Sequence, residues 1–196
     1  MDIDYRKTEF FSFVNKLKDC PSMDVPEIVL AGRSNAGKSS FVNALGDNKN
    51  LAKVSSKPGK TRALIYFTVD NKILIADLPG YGYSSADKSS QKDYSSLIDD
   101  YLTSSKREFS LIIHFLDIRH EPSQDDVIMS EWVRSKNIPY LIIISKADKL
   151  PGSKIGLHVS KIKKHLSLGD DIPVLTLANK KGIEKIRKKI TEIIFE

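Results

Sequence analysis

A chain of 196 residues with 40% hydrophobic and 29% charged residues has the composition of one globular domain with a single core. A formal net charge of +6 favours an anionic partner such as RNA without identifying it, and no apolar run is long enough to span a bilayer. The single cysteine, Cys20, excludes an internal disulfide and has no activating neighbour in sequence; with a charged Met1–Arg6 start that lacks a signal-like apolar core, a reducing, cytoplasmic setting is expected.

In residues 1–26, Phe10, Phe11, Phe13, Val14 and Leu17 form an apolar cluster before Pro21 and Pro26. The spacing does not decide between strand and helix, and the segment reads as an N-terminal extension packed on a domain of residues 27–196. A short apolar run then ends at Gly32-Arg33-Ser34-Asn35-Ala36-Gly37-Lys38-Ser39, followed by the helix-forming residues 40–45. Strand, G-x-x-x-x-G-K-S and helix in this order are the context of a phosphate-binding loop. Gly32 and Gly37 permit backbone angles and close approaches that a Cβ would block. The loop amides and the helix N-terminus direct positive dipole at phosphate oxygens. Lys38 reaches the β- and γ-phosphates, and the Ser39 hydroxyl ligates Mg²⁺.

Gly46 suits a helix C-cap, and residues 47–60 are polar, lysine-rich and aperiodic, which predicts a mobile loop closed by Thr61-Arg62. Ala63–Val69 and Ile73–Ala76 read as strands joined at Asp70-Asn71. The second ends in Asp77-Leu78-Pro79-Gly80, where the carboxylate can support the Mg²⁺ shell and the Gly80 amide can sense a γ-phosphate. Tyr81-Gly82-Tyr83-Ser84-Ser85 predicts a second mobile loop. Helices are expected at 91–105, 122–135, 153–168 and 182–195, and strands at 110–117, 138–144 and 172–175. In the last helix Ile183, Ile186, Ile190 and Ile193 form a buried stripe. The alternation predicts an α/β three-layer fold with a mainly parallel six-stranded sheet flanked by helices, its ligand at the carboxyl ends of the strands.

Ser145-Lys146-Ala147-Asp148 follows a buried strand and resembles the N/T-K-x-D motif of GTPases, which implies that it selects the base. The Asp148 carboxylate accepts from guanine N1–H and the 2-amino group; adenine offers neither donor, and such sites discriminate by about 10⁴-fold. The Lys146 stem lies along the base. Thr176-Leu177-Ala178 occupies the place of a last base-contacting loop, without its usual serine. His114 reads as a core histidine, and the isolated His158 and His165 suggest no metal cluster.

These stretches, with Pro58-Gly59-Lys60-Thr61-Arg62, Asp77-Leu78-Pro79-Gly80-Tyr81-Gly82-Tyr83, Asp117-Ile118-Arg119-His120-Glu121-Pro122 and Ser145–Leu150, resemble the EngB family of P-loop GTPases, within the TrmE-Era-EngA-EngB-Septin-like group. Ser145, where Asn or Thr is usual, and the 176–179 loop depart from the pattern. The resemblance implies a cytoplasmic GTPase that binds GTP and GDP and acts on the large ribosomal subunit precursor, with rRNA and ribosomal proteins as partners. It also implies a link to cell division and septation, no membrane span, and a monomer. By the same resemblance Ser39 and Thr61 coordinate Mg²⁺, Gly59, Lys60, Thr61, Arg62 and Ala63 contact the nucleotide, and Lys38, Thr61, Asp77 and Gly80 carry the chemistry. Thr61 and Gly80 lie in two segments ordered by one phosphate and released on hydrolysis. Tyr81 stands where many GTPases have a water-orienting glutamine, which predicts slow turnover. Asn35 matches a position that helps bind K⁺ in related proteins. A GTPase acting on tRNA or at a membrane, a P-loop kinase, and a nucleotide-independent RNA-binding protein are the competing readings. Lysines and arginines late in the chain (Lys161, Lys163, Lys164, Lys180, Lys181, Lys185, Arg187, Lys188, Lys189) offer a face for rRNA phosphates.

Overall fold

The computed structural model describes residues 2–52, 63–82 and 88–196, the side chains of residues 88–95 excepted. In chain order the strands are β1 (Thr8–Val14), β2 (Glu27–Gly32), β3 (Leu64–Val69), β4 (Ile73–Asp77), β5 (Leu111–Asp117), β6 (Tyr140–Ser145) and β7 (Val174–Thr176). The α-helices are α1 (Lys38–Leu45), α2 (Lys88–Thr103), α3 (Gln124–Ser135), α4 (Gly152–His165) and α5 (Lys180–Phe195).

The strands form one sheet in the order β1-β3-β4-β2-β5-β6-β7. The pairs β1/β3 and β3/β4 are antiparallel and the other four are parallel. β2 and β6 are buried at every position, as strands covered on both faces must be. The sheet has seven strands where six were expected. The extra one is β1, whose alternation is hidden in the sequence by a bulge between Phe10 and Ser12.

Alternate residues of each strand feed two apolar layers. Ile28, Leu30, Ile113, Phe115 and Ile143 pack with α1 and α5, including the predicted stripe Ile183, Ile186 and Ile190. Val29, Ala31, Ile112, Leu116 and Ile142 pack against α2, α3 and α4. This three-layer sandwich fixes which way each strand end points its last side chain.

The β3–β4 hairpin turns through residues 70–72, between the paired Val69 and Ile73; Asp70 and Asn71 are both left-handed with φ of 50° and 53°, as in a type I′ turn, and the Lys72 amide donates to the Val69 carbonyl at 2.9 Å. Lys7 and Lys72 brace the Asp70 carboxylate at 3.0 and 2.8 Å. The segment after α1, expected to be mobile from residue 47, is tied down as far as residue 52. Asn43 accepts from the Ala52 amide at 2.6 Å and donates to the carbonyls of Lys49 and Ala52. Residues 53–62, and with them Gly59, Lys60, Thr61 and Arg62, lie outside the described residues, as do 83–87 of the second predicted loop.

Candidate nucleotide-binding site

The loop from Gly32 to Ser39 connects β2 to α1 at the carboxyl edge of the sheet. Its glycines are sterically required. A Cβ on Gly32 would stand 2.7 Å from the Phe115 carbonyl oxygen, and Gly37 adopts φ of +100° with the Ser145 Cβ 3.2 Å from where its own would be. Asn35 is also left-handed, at φ 62°. The Ala36 amide donates back to the Arg33 carbonyl at 3.0 Å, which curls the loop around its own centre.

Lys38, the first residue of α1, and Asp77, the last of β4, are both buried, and their Nζ and Oδ1 lie 3.8 Å apart, beyond hydrogen-bond length. Asp77 Oδ1 is fully buried and has no hydrogen-bond partner. Burial pushes the Asp77 carboxyl up to about 6 even though Lys38 pulls it down. A buried carboxylate oxygen without a donor, beside a cation and under a phosphate-type loop, is the chemistry of a hydrated divalent cation's outer shell. The residues present therefore fit Mg²⁺. Among the described residues no group of three or more His, Cys, Asp or Glu could hold a metal by itself.

The base-recognition loop is wired directly to this one. The Ser145 hydroxyl donates to the Ala36 carbonyl at 2.6 Å and reaches the Leu116 carbonyl at 3.3 Å, so the serine supports the turn where Asn or Thr was the expected type. Lys146, left-handed at φ 57°, donates to the Asn35 carbonyl at 2.6 Å. Its Nζ also lies 2.9 Å from Asp117 Oδ2. Asp117 caps β5 and takes the Arg119 guanidinium at 2.9 and 2.7 Å. Burial would raise the Asp117 carboxyl, but Arg119 and Lys146 outweigh it and hold the group well below the usual carboxylate range. Asp148 is half-exposed beside Lys149 at 2.9 Å, which lowers its carboxyl. The Leu177 amide donates to the Ile144 carbonyl at 2.9 Å, which brings Thr176, Leu177 and Ala178 alongside the Ser145 turn. Ala63 immediately precedes β3.

Two features were missed in the sequence. Asp117 stands beside Arg119 in the Asp117–Pro122 stretch, but its link to Lys146 is invisible to a local motif because Lys146 is distant in the chain. His114 is buried as expected, but it is bonded on both nitrogens, to Tyr140 and Tyr81, with Asp126 beside it. The signal for Asp126 was the Ser123-x-x-Asp126 capping box, present in the structure at the start of α3. The late basic face also needs correction. Arg187 donates to the Leu45 and Ala44 carbonyls at 2.6 and 3.2 Å, fastening α5 to the end of α1. Lys163 pairs with Asp170, and Lys188 and Lys189 with Glu192. The α4 lysines belong to the opposite layer from α5.

The strand order, the phosphate loop between a parallel strand and a helix, and the Lys38–Asp77 pair define a P-loop nucleotide-binding protein. Residues 27–146 match the family described as 50S ribosome-binding GTPase. The chain is 40% identical over 186 residues to the "Probable GTP-binding protein EngB" of Streptococcus sanguinis (strain SK36), covering 94% of this chain and 95% of that one. It is 38% identical over 194 residues to that of Streptococcus pneumoniae (strain Hungary19A-6), covering 98% and 99%. A crystal structure of a probable GTP-binding protein EngB superposes with a TM-score of 0.68 at 23% identity over 86% of this chain and 98% of the other. Aquifex aeolicus Era Y63A bound to GDP·AlF₄⁻ gives 0.68 at 21% identity, over 89% of this chain and 58% of that one. The chain belongs to the EngB family of GTP-binding proteins, P-loop GTPases.

Proposed function

We propose that the chain is a slow GTPase that acts as a nucleotide switch during assembly of the large ribosomal subunit, in the cytoplasm and as a monomer, and that normal cell division and septation depend on it. The observation that carries the nucleotide half of this reading is the orphaned Asp77 oxygen beside Lys38 beneath the Gly32–Ser39 loop. The ribosomal half rests on family membership and on the exposed Lys180, Lys181 and Lys185 of α5.

Hydrolysis of this kind is positioning plus charge neutralisation. The loop amides of Arg33 to Ser39 receive the phosphates and Lys38 neutralises the β- and γ-oxygens. Ser39 and Thr61 would hold Mg²⁺ directly and Asp77 through water; the ion would neutralise charge on the transferring phosphate. Gly80 reports the γ-phosphate to the second loop, while Leu78 and Pro79 carry it there from β4. Asp148 reads guanine and Lys146 lies along the base, held by Asn35 and Asp117. Gly59, Lys60, Arg62, Ala63, Thr176, Leu177 and Ala178 complete the nucleotide's surroundings. Tyr81 has no amide to orient water, which is the reason for slow turnover. Asn35 is exposed at the rim of the loop, where its side chain can help hold K⁺. Residues 1–26 are an extension of the 27–196 domain that adds β1 to the edge of its sheet.

Sedimentation of the chain with precursor large-subunit particles tests the switch. Association is expected with a non-hydrolysable GTP analogue and loss of association with GDP; equal association with both, or none, overturns the reading. Hydrolysis on the same particles is expected to be faster in K⁺ than in Na⁺, and equal rates remove K⁺ from it.

A further inference from the structure

The residue after Gly80 is held at both ends. Its backbone lies against the phosphate loop: the Ser34 amide donates to the Tyr81 carbonyl at 3.1 Å, and Arg33 and Tyr81 form a parallel bridge that prolongs the β2–β4 pairing. Gly80 is so close that a Cβ on it would stand 2.5 Å from both the Cα and the N of Ser34. The side chain turns the other way, into the layer beneath α3. There the Tyr81 hydroxyl lies 2.6 Å from His114 Nε2 and 2.8 Å from Asp126 Oδ1.

This receptor is built in advance. His114 is fully buried in a strand whose other positions are apolar, apart from its last residue, Asp117. A buried imidazole is costly unless both nitrogens are bonded. One proton arrangement satisfies every atom: Tyr140 donates to Nδ1 at 2.6 Å, Nε2–H donates to Tyr81, and Tyr81 donates to Asp126. Asp126 is fixed in turn by the Ser123 amide and hydroxyl, at 2.7 and 2.8 Å on its other oxygen.

We infer that Tyr81 is a positioning residue that clamps the Gly80 segment onto the phosphate loop, and that a γ-phosphate binds only in competition with this clamp. Backbone amides of that loop are the donors a phosphate needs, and the Tyr81 carbonyl occupies the one on Ser34. A diphosphate, lacking the γ-group, has no reason to displace it. The Tyr81–His114–Asp126 cluster therefore sets how strongly the chain prefers GTP over GDP, because a ligand shifts such an equilibrium only by its differential affinity for the two states. The inference rests on the γ-phosphate role given to Gly80 above.

The test is Tyr81→Phe, which removes one hydroxyl and leaves His114 and Asp126 facing each other at 3.3 Å. Fluorescently labelled GDP and a non-hydrolysable GTP analogue are titrated against both proteins in Mg²⁺. Losing one net hydrogen bond of the clamp raises the GTP-analogue/GDP affinity ratio roughly fivefold, with GDP affinity itself changed less than about twofold. Amide exchange of Ser34 in the nucleotide-free chain, slow in the wild type, accelerates in the variant. A ratio that stays constant or falls, or unchanged Ser34 exchange, overturns the clamp. A wild-type chain that binds neither nucleotide overturns instead the nucleotide reading on which the clamp depends.

Discussion

Two buried carboxylates, at opposite ends of the sheet, are treated in opposite ways. Glu27 begins β2, where Arg107 reaches its two oxygens at 2.8 and 2.7 Å and Tyr101 donates to Oε1. The same guanidinium donates to the Pro21 carbonyl and stacks over the Tyr101 ring. Asp77 ends the neighbouring β4 with one cation at 3.8 Å and an oxygen that meets no donor. The first carboxylate is complete as it stands. The second is left incomplete at the edge where the loops gather, and an incomplete buried charge is tolerable only where a ligand finishes it.

The sharpest way to break this contrast is Arg107→Ala. It strands a buried carboxylate, and a destabilisation of about 3–5 kcal/mol is expected by urea denaturation. Nucleotide affinity of the folded chain should stay within about twofold. Asp77→Asn should do the reverse. Because burial raises the Asp77 carboxyl from 3.8 to about 6, ionisation weakens the fold: the penalty is absent below about pH 4 and grows as pH rises through 6. The amide removes it, so the nucleotide-free variant should be more stable than wild type by about 1–3 kcal/mol at pH 8, a gain that shrinks toward pH 4.5 in thermal melts. The same variant should lose the Mg²⁺-dependent tightening of nucleotide. In the wild type that tightening should itself weaken as the pH is lowered past 6. The smallest expected effect lies on the surface. Lys181→Glu with Lys185→Glu, both exposed and without an ion pair among the described residues, should change stability by less than about 0.5 kcal/mol. It should flatten the salt dependence of binding to ribosomal particles.

What the sequence disclosed was local. The phosphate loop, the Asp70-Asn71 turn and Asp77 at a strand end each follow from residues adjacent in the chain, and their physics needs no partner from elsewhere. What it concealed was long-range. Arg187 looks like one more solvated charge on α5 until the carbonyls of Ala44 and Leu45 are brought under it. The Lys146–Asn35 bond spans 111 positions, and the Tyr81–His114–Asp126 cluster joins a loop, a strand and a helix. β1 was obscured for a different reason: two consecutive phenylalanines at a bulge erase the period of two by which a half-exposed strand is recognised.

The tight turn at Asp70 and Asn71 has a consequence at the far end of its hairpin. It locks Ile65 opposite Asp77, four residues along from the Val69–Ile73 pair that closes the turn. A single inserted residue there would offset the strand's facing pattern by one position and swing the Asp77 carboxylate to the wrong surface of the sheet, away from Lys38. The geometry of the Lys38–Asp77 pair is thus inherited from a reverse bend at the opposite end of the hairpin.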